Sequence, residues 1–216
     1  MIYYFCAQKH INELQLEHTD GTFYSVPERM EYLSHCHVLV VGLGGVGAYA
    51  AEQICRAGIG HMTIVDADTV NESNINRQLP ALHSTLGMQK AEVVGRRLLD
   101  INPRLKLTIL NEFLRDERTD EVLSSQKYDF IVDAIDSLSP KVYLLAYANK
   151  HDIPIVSSMG AGAKLDPSQV KIADISKSYN CTLARAVRKR LHHLGVNKGI
   201  PVVFSTEFAD PDAIVE

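Results

Sequence analysis

The 216-residue chain has no tryptophan and only four cysteines, none of them in a Cys-x-x-Cys pair. Paired cysteines at short spacing are the usual ligands of structural zinc, and regularly spaced cysteines are typical of small secreted disulfide scaffolds. The spacing of Cys6, Cys36, Cys55 and Cys181 therefore argues against both kinds of site. We expect a reducing, cytoplasmic location, where such thiols stay free.

Long apolar runs are also absent. No stretch approaches the roughly 18 apolar residues of a transmembrane helix, and residues 1–5 lack the basic region and length of a signal peptide. Hydrophobic residues make up 46% of the chain and charged residues 22%, which is an ordinary soluble composition. We expect an irregular N-terminal arm over residues 1–30 and a single domain over residues 31–216.

Short β-branched runs alternate with helical patterns from residue 38 onward. The predicted strands are 38–41, 62–65, 106–111, 128–132, 153–157, 170–174 and 202–205. The predicted helices are 48–57, 89–101, 119–125, 140–151 and 183–194. This alternation predicts an α/β fold with a Rossmann-like, mostly parallel sheet, helices on both faces, and later strands and a basic helix appended.

The first strand runs directly into a glycine-rich loop that contains Gly42, Gly44, Gly45 and Gly47. In this pattern the first glycine permits a tight turn, the second lets the backbone approach phosphate, and the last lets helix and strand pack closely. Asp66 ends the next apolar run, where a carboxylate accepts hydrogen bonds from ribose hydroxyls; an exposed strand-end carboxylate is the alternative. The glycines alone do not choose between a dinucleotide and ATP.

A polar segment then follows where a dehydrogenase usually has a helix or a short loop. Within it, Arg77 can clamp a phosphate through two hydrogen bonds, and Asn74 can donate to a neighbouring oxygen. Lys90 lies in the first turn of the next predicted helix, where the helix dipole disfavours a cation. A bound phosphate explains that placement, and a surface lysine is the alternative.

Two carboxylates three residues apart, Asp133 and Asp136, follow the fourth predicted strand. They suit a magnesium ion that bridges nucleotide phosphates. Alternatively, Asp133 orients the turn and Asp136 caps the following helix. Because ligands of such sheets bind at the carboxyl ends of the strands, we expect both to meet the glycine loop and Asp66 in one crevice.

Positive charge concentrates late in a chain whose net charge is -4. The predicted helix 183–194 carries Arg185, Arg188, Lys189 and Arg190. Two interpretations carry equal weight: a solvated helix face, and a surface that contacts a nucleic-acid backbone.

Together these motifs resemble the adenylating domain of ubiquitin-activating-type enzymes, a superfamily that includes activators of bacterial sulfur carriers. The resemblance runs from about residue 28 to about residue 207 and rests on Gly42-x-Gly44-Gly45-x-Gly47, Asp66-x-Asp68, Asn74-x-x-Arg77-Gln78, Lys90 and Asp136. Three further stretches are closest to the tRNA threonylcarbamoyladenosine dehydratase branch: 133–137 with Lys141, 160–167 and 203–207.

The resemblance implies ATP and Mg²⁺ as cofactors and a reaction on tRNA, namely the ATP-dependent cyclisation of threonylcarbamoyladenosine at position 37 through an acyl adenylate. It implies catalytic roles for Arg77, Lys90 and Asp136, with Asp136 also binding the metal. The implied nucleotide-binding residues are Gly42, Gly44, Gly45, Gly47, Asp66, Asp68, Asn74 and Gln78. It further implies a homodimer, a possible sulfurtransferase-system partner, and an arginine ahead of the first strand that reaches the partner subunit's ATP, to which no residue here is assigned.

Three other functions stay open at this point. A sulfur-carrier adenylator would use the same site. An NAD-dependent oxidoreductase would use the glycine loop and Asp66, but would leave Arg77, Lys90 and Asp136 without a role. A relative that binds nucleotide without turnover is the third.

Overall fold

A computed structural model describes residues 27–208 of the chain. The strands are β1 His37–Val41, β2 His61–Val65, β3 Lys106–Leu110, β4 Phe130–Asp133, β5 Ile155–Ser158, β6 Val170–Asp174 and β7 Pro201–Ser205. The helices are α1 Pro27–His35, α2 Gly47–Arg56, α3 Lys90–Ile101, α4 Asp116–Ser125, α5 Leu138–Lys150 and α6 Thr182–His193.

The strands form one seven-stranded sheet in the order β3-β2-β1-β4-β5-β7-β6. Neighbouring strands are parallel except β6, which pairs antiparallel with β7 at the edge. The predicted α/β fold is confirmed. The strand order reverses between β1 and β4, so the loops that follow these two strands diverge and leave a crevice at their carboxyl ends.

Both faces of the sheet are covered, because successive side chains of a strand point to opposite faces. In β1, Leu39 belongs to a core cluster that includes α5 and α6, whereas Val38 and Val40 belong to the cluster that includes α2 and α3. The central strands are therefore buried almost throughout. Their sequences are continuous apolar runs, as expected of parallel strands that are covered by helices on both faces.

The predicted element boundaries agree with the structure to within three residues. The largest difference is at α4, which begins at Asp116 rather than at residue 119. Asp116 and Glu117 occupy its first turn, where carboxylates are favoured by the partial positive charge of the helix end. The predicted arm over residues 1–30 lies outside the described residues, except where α1 begins. Between residues 27 and 208 no helix is long and apolar enough to cross a membrane.

Candidate nucleotide-binding site

The glycine loop packs against β2 and β4 so closely that Gly42 and Gly47 have no room for a side chain. Gly42 has φ +87°, and a Cβ there would lie 2.7 Å from the Ala134 carbonyl oxygen. Its N–H donates to the Val65 carbonyl at 2.9 Å. A Cβ at Gly47 would collide with the Gly42 carbonyl oxygen. The loop thus brings backbone, rather than side chains, to the N-terminus of α2, where free N–H groups favour an anion.

Asp66 ties this loop to the end of β2. Its carboxylate accepts hydrogen bonds from the backbone N–H of Leu43 at 2.6 Å and of Asp68 at 2.8 Å. Burial raises the pKa of Asp66, while these two bonds and the charge of Lys90 act in the opposite direction. The carboxylate is therefore fixed by hydrogen bonds at the wall of the crevice and is not a free surface group.

Lys90 is the first residue of α3 and is only 5% exposed. Its Nζ lies 2.9 Å from Oδ2 of Asp68, and its backbone N–H donates to the Asp68 carbonyl at 2.9 Å. The alternative of a surface lysine is therefore wrong. Sequence reasoning missed Asp68 as the partner that offsets an unfavourable cation at a helix N-terminus.

The polar segment after β2 divides into residues that line the crevice and residues that shape it. Gln78 lines the crevice, and its buried Oε1 has no hydrogen-bond partner among the described residues. Asn74 is buried and accepts from the Asn71 N–H at 3.1 Å, which closes the turn. Arg77 lies beside Gly45, but its guanidinium donates to the Ser73 carbonyl and to Asn76. The structure does not bring the side chains of Asn74 and Arg77 into the crevice.

Asp133 and Asp136 occupy opposite environments. Asp133 is fully buried and bonds Lys141 Nζ at 2.7 Å, Ser157 Oγ at 2.5 Å and the Ile135 N–H at 3.0 Å. The expectation that it joins Asp136 in the crevice is therefore wrong, and it orients the turn instead. Asp136 is exposed and lines the crevice, and its carboxylate accepts only a 3.2 Å bond from the adjacent serine hydroxyl among the described residues.

The crevice is a cavity of about 430 Å³, large enough for a nucleotide. Its lining includes Gly42, Gly44, Asp66, Gln78, Lys90 and Asp136. In residues 27–208 no three His, Cys, Asp or Glu side chains are grouped to hold a metal ion. The lone carboxylate of Asp136 fits a magnesium ion only together with phosphate oxygens, which is how Mg²⁺ usually binds at nucleotide sites.

Sequence reasoning missed the loop after β3, residues 112–116, which forms another wall of the cavity. Phe113 is 57% exposed, and the Arg115 guanidinium carbon lies 5.0 Å from its ring centroid. The loop is held by Arg118, which bonds Glu112 at 2.7 Å. An aromatic face paired with a guanidinium offers a stacking surface for a base. Its position at the carboxyl end of a third parallel strand was the available signal.

The four basic residues of α6 have different surroundings. Arg188 donates through Nη1 to the Ile175 and Ser178 carbonyls and to the Ser178 hydroxyl, so this nitrogen is bound inside the fold. Arg190 donates to Ser139 Oγ at 2.7 Å. Arg185 and Lys189 are exposed, and together with Arg188 they line a separate surface cavity of about 410 Å³. Three of the four predicted residues thus share one basic surface, and Arg190 lies apart from it, beside Ser139.

Comparison with known proteins adds to this geometry. The model of the ThiF family matches residues 16–209. The chain belongs to the ThiF family. A tRNA threonylcarbamoyladenosine dehydratase of Bacillus subtilis is 42% identical over 180 residues, which cover 83% of this chain and 70% of the relative. The predicted resemblance to that branch of the ThiF family is confirmed.

Two solved structures extend the comparison. The tRNA N6-threonylcarbamoyladenosine dehydratase of Escherichia coli in complex with ATP matches with a TM-score of 0.83 at 38% identity, over 86% of this chain and 79% of that one. The same enzyme in complex with AMP matches with a TM-score of 0.82 at 38% identity, over 85% and 77% of the two chains.

Proposed function

We propose that this ThiF-family protein uses ATP to dehydrate threonylcarbamoyladenosine at position 37 of tRNA to its cyclic form. The observation that carries the proposal is the convergence of Gly42, Asp66, Lys90 and Asp136 on one nucleotide-sized cavity. The relatives named for this activity, and the ATP and AMP complexes of one of them, support it.

In the proposed complex, ATP phosphates lie over the glycine loop and the N-terminus of α2, and Asp66 accepts from the ribose hydroxyls. The base stacks at Phe113 and Arg115. Gln78, whose Oε1 lacks a partner among the described residues, is free to bond the nucleotide. Asp136 would hold Mg²⁺, and the positive charge of that ion would neutralise the phosphates.

Lys90 and Arg77 are the proposed cations of the reaction. Lys90 is already fixed by Asp68, so its charge is positioned before the nucleotide binds, which avoids reorganisation during the reaction. Arg77 must exchange its bonds to Ser73 and Asn76 for phosphate oxygens. Asn74 acts indirectly, by closing the turn that carries Arg77.

The proposed chemistry has two steps. A carboxylate oxygen of the threonyl group attacks the α-phosphorus, the bond to the leaving pyrophosphate breaks, and an acyl adenylate forms. The ureido group of the same side chain then attacks the activated carbonyl, the ring closes, a proton is released and AMP leaves. The oxygen lost from the carboxylate departs in AMP, so the nucleoside loses one water overall. Holding the two reactants in line removes the entropic cost of bringing them together during the reaction.

No cysteine nucleophile is required. Within residues 27–208, Cys36, Cys55 and Cys181 are buried, and burial raises the pKa of the Cys55 thiol, which disfavours the reactive thiolate. This observation favours direct cyclisation over a thioester on any of these three cysteines.

The deciding experiment incubates the purified protein with ATP, Mg²⁺ and tRNA that carries threonylcarbamoyladenosine, with tRNA lacking the modification as the control. Mass spectrometry of the nucleosides should show loss of one water from the modified tRNA alone, with one AMP formed per turnover. Absence of the cyclic nucleoside would refute the proposal. ATP–pyrophosphate exchange stimulated by a small Gly-Gly-ended protein would instead favour a sulfur-carrier adenylator, and tight NAD binding without ATP affinity would favour an oxidoreductase.

The family resemblance also supports a homodimer in the cytoplasm and, as a further partner, a protein of a sulfurtransferase system. Sedimentation of the purified protein tests the first of these. A mass of one chain at micromolar concentration would exclude the dimer.

A further inference from the structure

Arg190 connects the basic helix α6 with the wall of the nucleotide cavity. Helix α6 packs against α5, and Ser139 stands in the first turn of α5. Arg190 donates to the Ser139 hydroxyl at 2.7 Å, and Ser139 lines the cavity. A guanidinium of α6 is therefore one hydrogen bond away from the site where the nucleotide is proposed to bind.

Most donor positions of Arg190 remain available. Its side chain is exposed, and between residues 27 and 208 it makes neither an ion pair nor a hydrogen bond other than that to Ser139. Arg188, two positions earlier, is bound by carbonyl oxygens, and Arg97 is bound by Glu52 at 2.6 Å. A guanidinium has five donors in a planar fork that matches a carboxylate or a phosphate.

A second region of positive charge lies on another face of α6. Arg185, Arg188, Lys189 and His192 line the 410 Å³ surface cavity there, and that cavity has no acidic residue in its lining. Successive residues of a helix are about 100° apart, so Arg190 projects from a different face than these four. Attraction by phosphates is strongest where cations are not neutralised by neighbouring carboxylates.

The proposed reaction is favoured by a cation near the nucleotide, because the substrate carboxylate must approach the α-phosphate of ATP and both groups are anionic. Lys90 lines the cavity itself, whereas Arg190 lies outside the lining and bonds Ser139 at its wall.

We propose that Arg190 is a substrate-binding residue that holds an oxyanion of the tRNA at the mouth of the nucleotide cavity. This inference rests on the proposed function. Two groups of the tRNA could supply this oxyanion: the threonyl carboxylate, or a backbone phosphate next to the modified nucleotide. The experiment below distinguishes them.

The test compares wild type with Arg190→Ala, Arg190→Lys and a matched control, Arg104→Ala. Arg104 is an exposed arginine just before β3, at the opposite end of the sheet from the cavity. Four quantities are measured for each protein: the Kd for ATP, the Kd for tRNA with and without the threonylcarbamoyl group, and the kcat and KM of cyclisation.

For Arg190→Ala we expect the KM for modified tRNA to rise about tenfold or more, as for loss of a hydrogen bond to a charged group. The Kd for ATP should stay within about twofold of wild type, because the proposed contact is to tRNA and not to the nucleotide. Arg190→Lys should recover part of the loss, since it keeps the charge but not the fork. Arg104→Ala should behave as wild type.

The two tRNA forms identify the oxyanion. If Arg190 holds the carboxylate, Arg190→Ala weakens binding of modified tRNA only. If it holds a phosphate, binding of both forms weakens equally and becomes less dependent on salt.

Equal tRNA affinities and KM for wild type and Arg190→Ala would overturn the inference, and so would an equal loss in Arg104→Ala or a matching loss of ATP affinity. A wild type that binds tRNA but does not cyclise the nucleoside would refute the proposed function, while the binding comparison still decides on Arg190. A wild type that binds neither tRNA would overturn both.

Discussion

Removal of the buried amine of Lys141 should reveal how the turn at residues 134–137 is held. Lys141 and Asp133 are both 0% exposed, and their charged atoms lie 2.7 Å apart. The same amine donates to the Ile135 carbonyl at 2.7 Å, and Ile135 lines the nucleotide cavity. Lys141→Met keeps most of the side-chain volume and deletes only the charge and its donors.

The expected loss follows from what remains in place. In Lys141→Met the Asp133 carboxylate stays buried with only the Ser157 hydroxyl and the Ile135 N–H as donors. Breaking a buried pair from one side costs about 3–5 kcal/mol of the free energy of unfolding. A domain has about 5–15 kcal/mol in total, so the variant should fold with a much reduced margin. The Kd for ATP should also rise, since the turn loses its tether.

Asp133→Asn in the Lys141→Met background is the matched control, because it removes the stranded charge. Replacing both members of a buried pair is often close to neutral, so the double variant should recover most of the loss, to within about 2 kcal/mol of wild type. Urea unfolding gives the free energies by linear extrapolation. A loss below about 1 kcal/mol in Lys141→Met, or a double variant no more stable than the single one, would refute this reasoning.

Three further predictions concern the cavity walls. Gly47→Ala should abolish ATP binding measured by calorimetry, because the added Cβ collides with the Gly42 carbonyl oxygen. The control Gly162→Ala has open space around the added Cβ and should bind ATP as wild type does. Equal ATP affinities of the two variants would contradict this prediction. Because burial raises the pKa of Asp66, this carboxyl stabilises the fold below its unfolded pKa and loses that contribution as pH rises through the folded value. The free energy of unfolding of Asp66→Asn, measured with urea and compared with that of wild type, should therefore improve from pH 4 to pH 7. A difference that stays constant or decreases over this range would contradict the prediction. Phe113→Ala should weaken ATP binding by about 1–3 kcal/mol, because the base loses its stacking partner. The control Phe208→Ala changes a residue outside the cavity lining and should leave ATP binding unchanged. An unchanged Kd for ATP in Phe113→Ala would exclude the stacking role.

Local sequence patterns predicted the framework well because their physical causes are local. A β-branched run followed by a helical pattern predicts a βα unit, since alternation and helical period are properties of neighbouring residues. Gly42 and Gly47 were recognisable for a similar reason, because a positive φ and a close backbone approach exclude any side chain at those positions. The rule that parallel strands collect ligands at their carboxyl ends then predicted where Asp66 and Asp136 lie.

Local sequence patterns did not predict the roles of residues whose partners lie far along the chain. Asp133 and Asp136 are three residues apart and chemically identical, yet one is bound by Lys141 and Ser157 while the other faces the cavity. The pairing of β4 with β5 places Ser157 beside Asp133, and no local pattern contains that register. The loop after β3, with Phe113, was missed for a different reason, because its position at the carboxyl end of a parallel strand was an available signal that was not used.

The sequence by itself determined the α/β fold, the glycine loop and the membership of an adenylating family, because periodicity, backbone sterics and short motifs are encoded by adjacent residues. Only the tertiary structure decided which charges are available for chemistry. Nη1 of Arg188 is bound by backbone carbonyls, whereas Nη1 of Arg190 is bound by a serine hydroxyl beside the nucleotide cavity, although the two are separated by a single residue of one helix. That difference arises because a guanidinium binds whatever oxygen the packed fold brings within reach, and packing is a property of the whole chain.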